Sequence, residues 1–201
     1  MTRATQTPEL HELMERWNAR WSPCPPIGHE LRSGIHADRW IRFHSLPHSK
    51  RYAQDEEEYR TVLQRHNTVL EELFTGGNVY TITCAWSDSP QPPARSDLDH
   101  QLHPAGRHWT SILTTDDPDP EFRTYTHLYI STTRWQVGSI DQLLRAVADD
   151  QTAGVIIADT GLSRLYHPYD GGADVILATT AERDQLRQWH SDWLSSHPAG
   201  L

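Results

Sequence analysis

The stretch QDEEEYRTVLQRHNTVLEELFTGGNVYTITCAW, residues 54–86, decides the fold class because it joins a long amphipathic helix directly to a strand. Apolar side chains recur at three- and four-residue spacing between Tyr59 and Phe74, and the acidic run at 55–58 suits the positive end of the helix dipole. Gly76 and Gly77 are typical of a helix end. Residues 78–86 are rich in β-branched and aromatic side chains, which favour a strand.

The rest of the chain extends this pattern. A helix is predicted near the N-terminus at 8–20, strands at 108–115 and 124–132 flank the acidic turn DDPDPE, and the last third reads helix, strand, strand, strand, helix. We predict one α+β domain over residues 1–201, with a mainly antiparallel sheet of five to seven strands and helices packed on one face. Residues 87–106 contain four prolines and are predicted to be a mobile surface loop.

Composition narrows the classes of partner. The chain has 18 Lys and Arg against 27 Asp and Glu, a net charge of -9, which repels nucleic acid and anionic membranes but suits a basic protein partner. Cys24 and Cys84 are far apart and form no CxxC motif, so neither a disulfide framework nor a thiolate zinc site is expected. The N-terminal segment has no apolar signal region, and no window reaches the ~18 apolar residues of a membrane span. We therefore expect a cytoplasmic protein.

The first candidate site is the stretch RWIRFHSLPHSKRY, residues 39–52. Its alternation predicts a strand with Ile41 and Phe43 in the core and the polar side chains on the other face. Arginine forks and histidines suit an anionic or phosphorylated ligand. The candidate ligand-binding residues here are Arg42, His44, Ser45, Lys50 and Arg51. Alternatively, the acidic run at 55–58 neutralises the lysine and the second arginine, and no ligand is needed.

The second candidate site is LYHPYDGGADVI, residues 165–176, which predicts a hairpin. A turn at Asp170-Gly171 places His167 directly opposite Asp174, whereas a turn one residue later places Tyr169 opposite Asp174. In the first register, the aspartate could orient the histidine for proton transfer. The candidate catalytic residues are therefore His167, Asp174 and His44, and Tyr169 and Asp170 join the ligand-binding set. Alternatively, the aspartate only satisfies a backbone amide.

The sequence gives little support for a metal site or a cofactor site. His44 and His48 are separated by Pro47 and cannot share a helix face. His100 and His103, with His108 beyond them, are grouped in or beside the long loop at a spacing that specifies no metal site. The sequence has no GxSxG, GxxxxGK[ST] or GxGxxG motif. We therefore predict neither a metal nor another cofactor.

Four segments together resemble uncharacterised bacterial proteins of the domain of unknown function 3885 family. They are RWIRFHSLPHSKRY and EEYRTVLQRHNTVLEELF, then LYHPYDGGADVILAT and the ending DWLSSHPAGL. Relatives often carry Tyr-Asp-Asp-Arg-Gly where this chain has Gly171 and Gly172, so a role for that missing arginine does not transfer. The resemblance implies no catalytic residues. It does imply a link to toxin genes, and hence an immunity or antitoxin role.

Three functions remain open. The first is a binding protein, in concrete form an immunity protein whose acidic surface meets a basic partner. The second is an enzyme that acts on a small anionic ligand, held by Arg42 and His44 and served by the His167–Asp174 pair. The third is a structural domain without a ligand. The enzyme hypothesis predicts that side chains distant in sequence converge on one cleft, whereas the other two predict no enclosed pocket.

Overall fold

The computed structural model describes residues 8–33 and 36–195, so the first seven residues and the last six, which end the segment DWLSSHPAGL, lie outside the description. Eleven of the twelve main elements follow the predicted order, and the twelfth, a short helix, lies in the segment predicted to be a loop. They are α1 (Pro8–Trp21), β1 (Trp40–His44), α2 (Glu56–Phe74), β2 (Asn78–Ser87), α3 (Asp97–Leu102), β3 (Arg107–Thr115), β4 (Thr124–Arg134), α4 (Asp141–Ala148), β5 (Ile156–Asp159), β6 (Leu165–Tyr169), β7 (Gly172–Ile176) and α5 (Thr180–Trp189). Short 3-10 turns, including Gly28–Ser33, lie between them.

The seven strands form one sheet in the order β1-β7-β6-β5-β2-β4-β3, and every neighbouring pair is antiparallel. The predicted α+β class and strand number are confirmed. The first strand of the chain lies at one edge of the sheet, beside the last strand. This non-local pairing brings the two candidate sites, at 39–52 and 165–176, onto adjacent strands.

Helices cover both faces of the sheet. One core contains Ile41, Phe43 and Val175 from the strands, with α2, α4 and α5 packed over them. The other core contains Ile82 and Ile176, covered by α1 through Leu10, Leu13, Trp17 and Trp21. The helices α2 and α5 thus share one face, as predicted, while α1 occupies the opposite face. Helices are needed on both faces because the central strands carry apolar side chains on both faces of the sheet.

Residues 87–106 contain more regular structure than the prolines indicated. The end of β2 runs into this segment, and α3 follows with a capping box in which the Ser96 and Asp99 side chains each bond the other's backbone N–H. Arg95 donates to the carbonyl oxygens of Asp99, His103 and Gly106. The mobility of this segment stays a prediction. Among the described residues, no helix combines the length and the apolar character that crossing a bilayer requires.

Candidate functional site

Three polar residues lie in one row across β1, β7 and β6. Arg42 is directly opposite Asp174, and Asp174 is directly opposite His167. Tyr169 pairs with Gly172, so the hairpin turn falls at Asp170-Gly171, which is the first of the two predicted registers. Directly opposed residues of an antiparallel sheet point to the same face, and this row therefore presents its side chains together.

Arg42 and Asp174 form a bidentate ion pair. The Nε–Oδ1 distance is 2.8 Å and the Nη2–Oδ2 distance is 3.0 Å, and the two side chains are 12% and 3% exposed. The guanidinium also lies over the Tyr169 ring, 4.9 Å from its centroid. Burial opposes the charge of Arg42, but the hydrogen bonds and the charge of Asp174 outweigh it and raise the pKa of Arg42. Arg42 therefore keeps its charge although it is largely buried.

His167 is buried beside this pair but is held by a different partner. Its Nδ1 lies 2.7 Å from the Val155 carbonyl oxygen, to which it donates, and burial lowers the pKa of His167, which keeps the ring neutral. The Asp174 carboxylate is occupied by Arg42. The structure thus differs from the predicted His–Asp pair: the two residues are opposed in register, yet a main-chain carbonyl orients the ring. Gly28 packs on the ring so closely that a Cβ there would lie 2.2 Å from it.

His44 is the second neutral histidine of the site. Burial, Arg42 and Arg65 together lower its pKa. Its Nε2 is buried, and no described residue hydrogen-bonds it. A buried ring nitrogen without a hydrogen-bond partner is costly, and this atom is also shielded from solvent, so the ring and not the free nitrogen forms the wall of the site.

Of the remaining predicted residues, Arg51 and Asp170 lie at the rim of the site, whereas Lys50 and Ser45 lie outside it. Arg51 donates through Nε to Asp170 at 2.7 Å, and Tyr52 donates to the same carboxylate at 3.0 Å, which fixes the hairpin turn at the rim. Lys50 instead pairs with Glu58, the Nζ–Oε2 distance being 2.6 Å. This is the local neutralisation that the acidic run at 55–58 predicted for the lysine. Ser45 is buried and lines a separate small cavity behind β1.

Most of the predicted site residues line one cavity of about 340 Å³. Seven of the predicted site residues line it: Arg42, His44, Arg51, His167, Tyr169, Asp170 and Asp174. Sequence reasoning missed four more: His29, Arg32, Ser49 and Gly171. His29 and Arg32 come from the Gly28–Ser33 turn that follows the prolines at 23–26. The only signal for them was the short polar run GHELR.

The charges around the cavity leave it positive. Three arginines, 32, 42 and 51, face two aspartates, 170 and 174. The two aspartates are paired with Arg42 and Arg51, whereas Arg32 is exposed and forms no ion pair with any described residue. In a chain of net charge -9, a local positive excess favours a negatively charged ligand.

His103 and His108, in and beside the segment 87–106, are hydrogen-bonded to hydroxyl groups of neighbouring strands. His103 is hydrogen-bonded through Nδ1 to Thr83 at 2.9 Å and through Nε2 to Ser131 at 2.7 Å, and burial lowers its pKa to about 4. His108 bonds Ser111 at 3.0 Å. Within the described ranges, 8–33 and 36–195, no group of three or more His, Cys, Asp or Glu side chains is placed to hold a metal ion.

Comparison with known proteins identifies the family. A family model described as Domain of unknown function (DUF3885) matches residues 27–198, and the chain belongs to that family. The match contains the whole cavity, from His29 to Asp174. No curated protein and no solved structure matches the chain.

Proposed function

Because the chain belongs to a family without an assigned activity, we propose a function from the site alone: binding of a small anionic ligand in the cavity beside β1, β7 and β6. One observation carries this proposal. Side chains that the sequence marked as anion-binding or catalytic, up to 132 residues apart, line one concave surface. A structural domain without a ligand has no need to place three arginines and three histidines around one cavity.

Each of the three arginines would have a different role in binding the ligand. Arg42 is held rigidly by Asp174 and Tyr169, so its remaining donor is presented at low entropic cost. Arg51 is anchored by Asp170 at the rim. Arg32 is exposed and unpaired among the described residues, and we assign it the main charge contact. Guanidinium forks suit the paired oxygens of phosphate and carboxylate.

An enzymatic form of the same proposal uses the two neutral histidines. Because Nδ1 of His167 donates to Val155, its Nε2 is the basic nitrogen and could accept a proton from a bound ligand. His44 offers a second uncharged ring with an unpartnered Nε2. In this form, Asp174 acts indirectly, since it positions Arg42 and not the histidine.

Calorimetric titration with inorganic phosphate and with acetate tests the proposal. We expect Arg32→Gln to weaken anion binding by about tenfold, because it removes a charge-assisted contact. Lys50→Gln is the matched control, because Lys50 pairs with Glu58 and does not line the cavity. Equal losses in the two variants, or no saturable binding of either anion to the wild-type protein, would contradict the proposal.

A second candidate is the predicted immunity role, with a basic protein as partner. The favouring observation is the β3–β4 connection, where Asp116, Asp119 and Glu121 are exposed beside Phe122, which is 67% exposed. An exposed apolar side chain with acidic neighbours in sequence suits a basic surface, although Asp116 already pairs with Arg123 at 3.5 Å. This candidate retains the predicted cytoplasmic location, in keeping with the two free cysteines.

A photo-crosslinker at position 119, in cells that express the protein, tests this candidate. We expect it to capture a basic protein, and we expect Asp116→Lys with Glu121→Lys to abolish that capture. Capture that is unchanged by the two charge reversals would contradict the immunity role.

A further inference from the structure

The anion cavity continues into a second cavity of about 230 Å³. Five residues line both: His29, Arg51, His167, Tyr169 and Asp170. The buried His167 ring is part of the lining of both cavities. Together they form one cleft with two compartments.

The second compartment has a different chemistry. It is lined mainly by apolar side chains: Ile27, Cys84, Trp86, Leu128, Val147 and Pro168. Burial raises the pKa of the Cys84 thiol to about 12, so this wall carries no charge. Gly154 packs tightly on this wall, since a Cβ there would lie 2.4 Å from the Cys84 sulfur.

Trp86 is the distinctive group of this compartment. It lies near the end of β2 and is 52% exposed, whereas Trp17, Trp21, Trp109 and Trp135 are buried. An exposed indole at the edge of an apolar cavity offers a flat face for stacking. Polar groups also line this compartment: Thr126, Thr152 and Asp150, together with the five residues that it shares with the anion cavity. A mixed lining of apolar walls and a few polar groups is typical of small-molecule sites.

We propose that the ligand is an aromatic anion, with its phosphate or carboxylate among the arginines and its flat ring in the second compartment against Trp86. The inference rests on the proposed function, because it takes the arginine compartment as the anion site. It adds the chemical class of the rest of the molecule. A purely inorganic or fully polar anion would leave the apolar compartment unused.

Two matched pairs of probes test this inference: inorganic phosphate against phenyl phosphate, and acetate against phenylacetate. Burial of one phenyl ring is expected to improve affinity by about tenfold or more in the pair whose anion fits. The better pair also identifies the anionic group. Trp86→Ala should remove the advantage of the ring and leave the affinity for the simple anion unchanged. Trp189→Ala is the matched control, because Trp189 is 58% exposed and lies on α5, away from the cleft.

The outcomes separate the two proposals. A ring advantage that survives in Trp189→Ala and is lost in Trp86→Ala supports the aromatic anion. Equal affinity within each pair of probes overturns the aromatic ring while anion binding stands. Binding of none of the four probes overturns both proposals. A ring advantage that is unaffected by Trp86→Ala also overturns the assignment of the ring to this compartment.

Discussion

Arg42 on β1 and Asp174 on β7 face each other in register and form two hydrogen bonds across 132 residues of sequence. The pair is almost completely removed from solvent. A buried ion pair of this kind adds little net stability compared with apolar residues of similar volume. Removing only one of its two partners is nevertheless strongly destabilising, because the other charge is left buried and unpaired. This asymmetry defines how the site responds to substitution.

Asp174→Ala should lower the free energy of unfolding by about 3–5 kcal/mol, because it leaves the Arg42 charge buried and unpaired. The double variant Arg42→Met with Asp174→Leu should recover most of this loss. Urea unfolding of the three proteins measures both effects. Arg51→Gln serves as the control, since its pair with Asp170 is exposed on the arginine side and solvent screens it, so its loss should cost much less. A similar small loss for Asp174→Ala and Arg51→Gln would contradict the prediction.

Gly28→Ala should destabilise the protein by about 1–3 kcal/mol, because the new methyl group would overlap the His167 ring. The ring must then move away from the Val155 carbonyl oxygen. If this overlap is the cause, Gly28→Ala should cost little in a His167→Ala background. A double-mutant cycle by thermal unfolding measures the coupling. Additive losses would show that Gly28 acts through its own backbone.

Stability should fall as the pH drops from about 6.5 to about 4. Burial lowers the pKa of both His66 and His103 to about 4, whereas the unfolded chain protonates histidine near 6.5. The unfolded state therefore binds more protons in this window, and each histidine removes about 3 kcal/mol of stability across it. His103→Gln should flatten the dependence measured by urea unfolding, and the exposed His11→Gln should not. Equal slopes for both variants would contradict the assignment.

A buried water is expected behind β1. The Ser45 hydroxyl and His66 Nε2 are buried with no described partner, and both residues line a cavity of about 10 Å³. That volume is roughly what one water molecule requires, and a water there could satisfy both groups. A crystal structure at a resolution that orders solvent should place one water within hydrogen-bonding distance of both atoms. An empty cavity would exclude this arrangement.

Local sequence patterns predicted most of the elements. The stripe from Tyr59 to Phe74 and the glycine turn after Tyr169 are signals carried by neighbouring residues, and both elements form as predicted. Helix ends are harder to assign from sequence: Thr179 caps α5 because its side chain accepts from the N–H of Glu182, although Thr180 next to it carries the same side chain. The position of α1 on the second face was missed because tertiary packing decides it. α3 was missed because the four prolines of its segment outweighed the local capping signal of Ser96 and Asp99.

The site was predictable as a list of residues and not as an arrangement. Residue types marked Arg42, His44 and the hairpin, but no local pattern states that β1 pairs with β7. His29 and Arg32 were missed because a short 3-10 turn has no strong periodicity. The partner of Asp174 was assigned to the wrong neighbour, since cross-strand register in one hairpin does not report the strand on its other side.

The pairing of β1 with β7 also sets the order in which the molecule can assemble. The edge strand must wait for a segment synthesised about 130 residues later, and closing such a long loop slows the step in which these contacts form. The cleft is therefore expected among the last parts to form, and a fragment that ends before β7 contains Arg42 but lacks Asp174 and the β7 side of the cavity. A ligand that binds the cleft would therefore bind only the completely folded protein, and its binding would indicate that folding is complete.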